Sequence, residues 1–248
     1  MLGLMQSQPL LISSILQHAA RHHPTGEIVS KTVEGEIHRT TYRDIEPRCR
    51  RAARMLQRLG VQAGDRVATL AWNGFRHFEL YYGISGMGAI CHTINPRLSP
   101  ADITYIINHA GDVVLFLDTT FAPIIAAVAK DVRASLRAVV FMCDRAHMPD
   151  IALPEGMELL CYEEQMAAAD ENYAWPEFDE NTAAALCYTS GTTGKPKGVL
   201  YSHRSTVLHA FASNMADVIG LRAADRVLPV VPMFHVNAWG TPYSAPMV

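Results

Sequence analysis

The sequence predicts an α/β fold in which a mostly parallel sheet is covered by helices on both faces. Between residues 65 and 161, short and nearly all-apolar segments alternate with longer segments of helical periodicity. Strands that are apolar on both faces are typical of a parallel sheet buried between two helical layers. Of the 248 residues, 49% are hydrophobic and 18% are charged, a composition that suits a globular protein with a large core.

The first part of the chain predicts a helix, a β-hairpin and a second helix. Glu34-Gly35 is a short hairpin signal between two segments rich in β-branched residues. Thr41 is predicted to cap the second helix, with Asp44 placed to pair with the cap and Gly60 at the stop. The predicted segments are a helix with one apolar face at 10–22, strands at 27–33 and 36–41, and a helix at 42–59.

The middle of the chain predicts the strands and helices of the main sheet. Strands are expected at 66–71, 89–94, 113–117, 138–143 and 158–161, and helices at 75–83, 101–109 and 121–134. The polar segment 170–181 contains Pro176 and is the expected connection between subdomains. We therefore divide the chain into a first α/β subdomain at 1–175 and the start of a second subdomain at 176–248.

Charge and cysteine content exclude several classes of protein. The 21 Lys+Arg and 24 Asp+Glu give a net charge of −3 without a basic block, so no nucleic-acid partner is expected. The five cysteines are odd in number, scattered and never spaced as CxxC, which predicts free thiols in a reducing, cytoplasmic location. No apolar run approaches the roughly eighteen residues of a transmembrane helix, so we expect a soluble protein, at most peripheral to a membrane.

A glycine-rich loop follows an apolar strand predicted at 184–188. It reads Thr-Ser-Gly-Thr-Thr-Gly-Lys-Pro-Lys-Gly at 189–198. Its glycines allow the backbone to approach an anion, its hydroxyls add hydrogen-bond donors, and its lysines add charge. It is not a Walker A motif, because Thr189 replaces the first glycine and Pro196 replaces the metal-binding hydroxyl. An ordinary surface turn is the alternative interpretation, and the density of these residue types argues against it.

An apolar run at 199–201 and then a helix are predicted after the loop. His203 is expected near the start of this helix and Gly220 at its end. One side of the predicted helix carries apolar residues, namely Val207, Leu208, Phe211, Met215, Val218 and Ile219. Elements of the core would therefore hold the loop on both sides.

The string YTSGTTGKPKGV at 188–199 resembles the phosphate-loop signature of the adenylate-forming, or AMP-binding, superfamily. Two further segments support the resemblance. Asn95-Pro96-Arg97-Leu98 is similar to a segment common in acyl-CoA synthetases. The run VPMFHVNAWG at 231–240 is similar to their substrate-site motif, in the version typical of medium- and long-chain fatty-acid–CoA ligases. The resemblance implies the N-terminal part of the large adenylate-forming domain.

The resemblance also implies a reaction, in which ATP activates a fatty acid as an acyl-adenylate before thioesterification to coenzyme A. Pyrophosphate leaves, so donors aimed at its phosphates would stabilise the charge that grows in the transition state. Mg²⁺ is expected to bridge and screen these phosphates. The implied phosphate-binding residues are Thr189, Ser190, Gly191, Thr192, Thr193, Gly194 and Lys195, with Lys197 as a secondary candidate that is otherwise a solvent-facing lysine.

Three residues of the second motif are implied for the substrate or adenylate site: His235, Asn237 and Trp239. His235 is assigned a positioning role, because a carboxylate substrate is already ionised near neutral pH and needs no general base. Trp239 is a candidate for lining or gating the acyl channel. By residue type alone, a packed histidine and a core aromatic are the alternative interpretations.

The chain departs from the family in length, because catalytic segments of similar enzymes, including their C-terminal domain, have no counterpart in it. No catalytic residue set is complete, and no metal ligand can be assigned. We therefore hypothesise an N-terminal fragment of a fatty-acid–CoA ligase that lacks independent activity. The alternatives are a ligase for an aryl or other carboxylic acid and a non-catalytic binding or dimerisation module, and a homodimer and peripheral membrane contact stay open.

Overall fold

The computed structural model describes residues 1, 3–132, 134–189 and 194–248, and its centre is a seven-stranded sheet. In chain order the strands are β1 (Glu27–Lys31), β2 (Ile37–Thr41), β3 (Arg66–Leu70), β4 (Ile90–Thr93), β5 (Val114–Leu117), β6 (Ala138–Phe141), β7 (Glu158–Cys161), β8 (Ala183–Thr189) and β9 (Lys197–Ser202). The main sheet has the order β7-β6-β5-β3-β4-β8-β9, and its pairs are parallel except for β8 and β9. The predicted parallel sheet is confirmed, and β1 and β2 form the predicted hairpin beside it.

Helices cover both faces of this sheet. They are α1 (Ile12–His22), α2 (Tyr42–Arg58), α3 (Phe75–Gly86), α4 (Pro100–Ala110), α5 (Ala122–Val132), α6 (Tyr162–Ala167), α7 (His203–Ser213) and α8 (Thr241–Ser244). One apolar cluster joins the sheet to α1, α2 and α3, and a second joins it to α4 and α5. The central strands β4 and β5 are buried at every position, as expected for strands covered on both faces.

Side-chain caps fix the starts of α2 and α4. The Thr41 hydroxyl accepts the Asp44 N–H and donates to the Asp44 carboxylate at 2.6 Å, which confirms the predicted cap of α2. Ser99 accepts the Asp102 N–H at the start of α4, and Pro100 occupies the first turn. Gly111 ends α4 with a φ of +67°, a conformation that favours glycine.

The helix predicted to run to Gly220 is shorter, and of its predicted apolar side only Val207 faces the core. α7 begins at His203, as expected, but ends at Ser213, whose carbonyl accepts the N–H groups of Ile219 and Gly220 and so closes a turn. The buried side of α7 is formed by His203, Thr206, Val207, Ala210 and Ser213. The apolar patch, which we define as Leu208, Phe211, Met215, Val218 and Ile219, is between 44% and 63% exposed.

Other differences from the expected elements are small. Most strand and helix ends differ by one to three residues, as is usual for boundaries predicted from periodicity. The short helix α6 was not anticipated. Among the described residues, no helix has the length and apolarity needed to cross a membrane. The subdomain boundary at 175/176 stays a prediction, and β8 and β9, which follow it, continue the same sheet as β3 to β7.

Candidate active site at the carboxyl edge of the sheet

Parallel strands bring their carboxyl ends to one edge of the sheet, and a pocket lies there after β3, with Trp72, Asn73 and Asp118 in its lining. The chain leaves β3 into α3 on one face, whereas it leaves the neighbouring strands β4 and β5 toward α4 and α5 on the other face. Such a reversal opens a crevice at which α/β proteins bind ligands. β8 is parallel to β4, so the glycine-rich loop starts at this same edge.

The described ends of the loop lie on the surface. Thr189 is the last residue of β8 and pairs with Lys197, the first residue of β9, and both are exposed. Gly194 has a φ of +137° and no neighbouring atom within 4 Å of an added Cβ, so the backbone there is open to solvent. Lys195 is exposed, with its Nζ 4.8 Å from the ring centroid of Tyr105. The other predicted phosphate-binding residues, Ser190, Gly191, Thr192 and Thr193, lie outside the described residues.

Asn73 attaches the second motif to the carboxyl edge. Its Nδ2 donates to the carbonyls of Pro229 and Val231 at 3.0 and 3.3 Å. Its Oδ1 accepts the N–H of Met233 at 2.6 Å. One side chain in the loop after β3 therefore satisfies three backbone groups of the segment that leads to His235.

The residues from Val236 to Trp239 form a left-handed turn. Their φ angles are +48°, +49°, +50° and +55°, and Gly240 follows at +75°. A left-handed backbone costs about 1–2 kcal/mol for each residue that carries a Cβ. Strain of this kind persists only where surrounding contacts hold it, and it is common at ligand sites.

Contacts to Asn237 hold this turn against the strand that carries the loop. Asn237 is buried, and its Oδ1 accepts from the Tyr81 hydroxyl at 3.3 Å and from the Cys187 thiol at 3.4 Å. The single Tyr81 O–H hydrogen is shared between this oxygen and the carbonyl oxygen of Met233, which is the nearer of the two. Burial raises the pKa of the Cys187 thiol, so it acts here as a neutral donor. Cys187 precedes Thr189 by two residues, so the strand leading to the loop and the left-handed turn are in direct contact.

His235 and Trp239 lie on the open side of the turn. Both side chains are exposed, Trp239 at 62%. Trp239 is therefore not a packed core aromatic in this chain, and His235 is not a buried histidine. The positions of these two side chains leave both accessible to a ligand at the carboxyl edge.

An aromatic cluster joins the Asn-Pro-Arg-Leu segment after β4 to the second motif, which follows α7. Phe234 packs against Trp72, with ring centroids 5.7 Å apart, and the Arg97 guanidinium lies 5.8 Å from the Phe234 ring centroid. The backbone N–H of Trp72 donates to Oδ2 of Asp118, the residue after β5, at 2.7 Å. Burial raises the pKa of the Asp118 carboxyl to about 7. The Asn-Pro-Arg-Leu segment and the second motif thus meet in space.

Four residues of this arrangement were not singled out from the sequence: Trp72, Asn73, Tyr81 and Asp118. The position of Trp72 and Asn73 could have indicated them, because they follow an apolar strand of a parallel sheet, at the end where α/β proteins bind ligands. Tyr81 lies on α3 among many buried residues, and nothing in its sequence neighbourhood distinguishes it from core packing.

Comparison with known proteins agrees with the motifs. Residues 16–248 match the family described as AMP-binding enzyme. The 3-methylmercaptopropionyl-CoA ligase of Ruegeria lacuscaerulensis is 56% identical over 247 residues. The medium-chain-fatty-acid–CoA ligase of Ectopseudomonas oleovorans is 52% identical over 248 residues. Each alignment covers 100% of this chain and 45% of the relative, so the chain spans less than half the length of these curated relatives.

A solved structure gives the same result for the fold. A fatty acyl CoA synthetase of Mycobacterium tuberculosis superposes with a TM-score of 0.75 and 28% sequence identity. The superposition covers 96% of this chain and 43% of that one.

Proposed function

The chain belongs to the AMP-binding enzyme family, and on that premise we propose that it forms the ATP-phosphate site and part of the acyl site of an acyl-CoA ligase. The observation that carries this proposal is the contact between Cys187 and Asn237. It joins the strand leading to the glycine-rich loop to the turn that bears His235 and Trp239. A nucleotide phosphate and an acyl group must lie side by side for a carboxylate to attack the α-phosphate.

The glycine-rich loop is the proposed site of the β- and γ-phosphates. An exposed lysine and open backbone at Gly194 suit a ligand that brings its own negative charge. One well-placed donor to a developing oxyanion is worth about 2.7–4 kcal/mol in the transition state. The proposed phosphate-binding residues remain Thr189 to Lys195, with Lys197 as the secondary candidate.

Mg²⁺ would enter as the counter-ion of ATP. Among residues 1, 3–132, 134–189 and 194–248, no group of three or more His, Cys, Asp or Glu side chains is arranged to hold a metal ion. Mg²⁺ commonly binds through substrate phosphates and water with few protein carboxylates, so the described residues fit that mode better than a protein-borne cage. When bound, it would supply charge neutralisation at the phosphates.

The proposed acid is an aliphatic one of medium or long chain. Trp239 and Trp72 are exposed, and Trp72 packs on the buried Phe234, which directly precedes His235. This apolar surface suits an alkyl group, and His235 suits a positioned carboxylate. The similar protein of Ectopseudomonas oleovorans is a medium-chain-fatty-acid–CoA ligase, and that of Ruegeria lacuscaerulensis is a 3-methylmercaptopropionyl-CoA ligase. A short thioether acid therefore belongs in the substrate panel. Coenzyme A is the proposed acyl acceptor.

Location and assembly complete the proposal. All five cysteines are buried free thiols, which suits a reducing, cytoplasmic location. A homodimer and peripheral membrane contact stay predictions, and size-exclusion chromatography and vesicle sedimentation test them.

ATP–pyrophosphate exchange tests the proposed function, with a panel of medium-chain, long-chain, aryl and 3-methylmercaptopropionic acids. We expect the 248-residue chain to bind ATP through the glycine-rich loop. We expect no robust exchange, because the chain spans only 45% of the length of these relatives. Robust exchange would contradict the proposed lack of independent activity. A stable dimer that does not bind ATP would contradict the enzyme interpretation and favour a non-catalytic module.

A further inference from the structure

Two side chains on one face of α4 contact the two described ends of the glycine-rich loop. Lys195, in the described C-terminal part of the loop, lies over the ring of Tyr105, with its Nζ 4.8 Å from the ring centroid. Tyr188, before the loop, shares a 2.7 Å hydrogen bond between its hydroxyl and Nδ1 of His109. Tyr105 and His109 are four residues apart in the helix, so they lie on the same face.

The two contacts are linked to each other and to the core. The rings of Tyr105 and His109 stack with centroids 5.2 Å apart. The His109 and Tyr188 rings meet edge to face at 5.9 Å. On its other side, the Tyr188 ring lies 5.2 Å from His92, which is fully buried and paired with Asp112 at 2.8 Å. Tyr188 is therefore fixed from the core side as well as from α4.

α4 is itself a rigid support. Ser99 and Pro100 fix its start, and Gly111 fixes its end. Its inner face is buried through Ile103, Ile106, Ile107 and Ala110. The face that meets the loop therefore has little freedom to move relative to the sheet.

We propose that α4 is a clamp for the glycine-rich loop, with Tyr105 and His109 as positioning residues for Lys195 and Tyr188. The clamp holds the Lys195 ammonium over the Tyr105 ring before any anion is bound, so less side-chain freedom is lost when phosphates arrive. The role in ATP binding rests on the proposed function, whereas the docking of Lys195 on Tyr105 does not.

Lysine acylation tests the docking directly, because the sequence has only four lysines: Lys31, Lys130, Lys195 and Lys197. A limiting amount of an N-hydroxysuccinimide acetate reagent is added, and acetylation at each lysine is followed over time by mass spectrometry. Lys197 is the internal control, since it is exposed and lies two residues from Lys195. Thermal unfolding of every variant checks that it is folded.

Tyr105→Leu removes the aromatic face and keeps apolar bulk, and Tyr105→Phe keeps the face. A cation–π contact at an exposed site corresponds to about a two- to fivefold preference for the docked state. We expect Lys195 to be acetylated about two- to fivefold faster in Tyr105→Leu, with wild-type rates in Tyr105→Phe and at Lys197. Equal Lys195 rates in all three proteins would overturn the docking.

Protection by MgATP tests the role in nucleotide binding. In the wild-type chain, MgATP should slow acetylation of Lys195, and the concentration for half protection should rise in Tyr105→Leu. Tyr188→Phe removes the hydrogen bond to His109, and His109→Ala removes that bond together with the ring contact to Tyr105. The double variant should therefore need no more MgATP than His109→Ala alone. Additive effects would overturn the positioning role of His109. No protection in any protein, with the Tyr105→Leu acetylation difference intact, would contradict the proposed ATP site and leave the docking standing.

Discussion

Asn73 and Met233 lie 160 residues apart in sequence, and the Asn73 Oδ1 accepts the Met233 N–H at 2.6 Å. This contact and the two hydrogen bonds from Asn73 Nδ2 attach the second motif to the loop after β3. The position of His235 and of the left-handed turn therefore depends on a side chain from the first half of the chain.

Asn73→Ala should release this segment. The Met233 N–H is buried and would lose its acceptor, which typically costs about 1–3 kcal/mol. Hydrogen exchange should show faster exchange at Met233, and urea unfolding should show the loss of stability. Asn95→Ala is the matched control, because among the described residues the Asn95 side chain bonds only the nearby Arg97 N–H. Unchanged exchange at Met233 in Asn73→Ala would contradict the attachment.

Val236→Asn should stabilise the chain. A β-branched residue with a φ of +48° is a backbone outlier, and asparagine tolerates this conformation far better. Val236 is 41% exposed, so little buried apolar area is lost on substitution. We expect a gain of about 1 kcal/mol in the free energy of unfolding. Val199→Asn is the control, since Val199 is 38% exposed in the regular strand β9 and should gain nothing. A loss of stability in Val236→Asn would count against a strained turn.

Asp118→Asn should change how stability depends on pH. Between about pH 4 and pH 7 the folded chain keeps a proton on Asp118 that the unfolded chain has released, because burial raises the folded pKa from 3.8 to about 7. The free energy of unfolding of the wild-type chain therefore falls across this range, by up to about 1.4 kcal/mol per pH unit. In Asp118→Asn this contribution is absent, and urea titrations at several pH values measure the difference.

Asp144→Asn is the control for that titration, because the pKa of the Asp144 carboxyl is shifted in the opposite direction to that of Asp118. The hydrogen bond to His147 lowers the pKa of the Asp144 carboxyl. Its stabilising contribution is present above the unfolded pKa and is lost as pH falls. Parallel pH profiles for wild type and Asp118→Asn would refute the raised pKa.

The apolar patch on and after α7 should bind an apolar dye. Contiguous exposed apolar surface promotes dye binding and self-association. Replacing Leu208 and Phe211 with lysine should lower the fluorescence of bound anilinonaphthalene sulfonate and shift the chain toward monomer in sedimentation. Val29→Lys, at an exposed apolar residue of β1 outside the patch, is the control and should change neither signal. Equal dye binding by all three proteins would show that the patch is covered.

The sequence predicts the parallel sheet and the ends of the glycine-rich loop because both depend on local pattern. Strands β3 to β6 have apolar residues on both faces, and β8 runs directly into the loop. The hydrogen bonds of Asn73 and Tyr81 depend on where distant segments meet, which periodicity does not report. The patch on α7 shows the same limit, because its spacing indicates a helical face but not what that face contacts.

The left-handed turn at 236–239 illustrates a different reason for failure. No residue type in Val-Asn-Ala-Trp strongly favours a positive φ except asparagine, so local preference points elsewhere. Contacts made by Tyr81 and Cys187 hold the turn against that preference. A conformation that tertiary contacts impose cannot be predicted from the residues that adopt it.

The pairing of β8 with β4 has a consequence for the order in which the chain folds. Thr93 and Cys187 meet across these strands although they are 94 residues apart in sequence. Strands β3 to β7 join through nearer neighbours, whereas β8 must close a long loop of chain, and distant pairings form slowly. We expect β8 to dock late in refolding, so that the edge that holds the glycine-rich loop becomes complete only after the rest of the sheet has assembled.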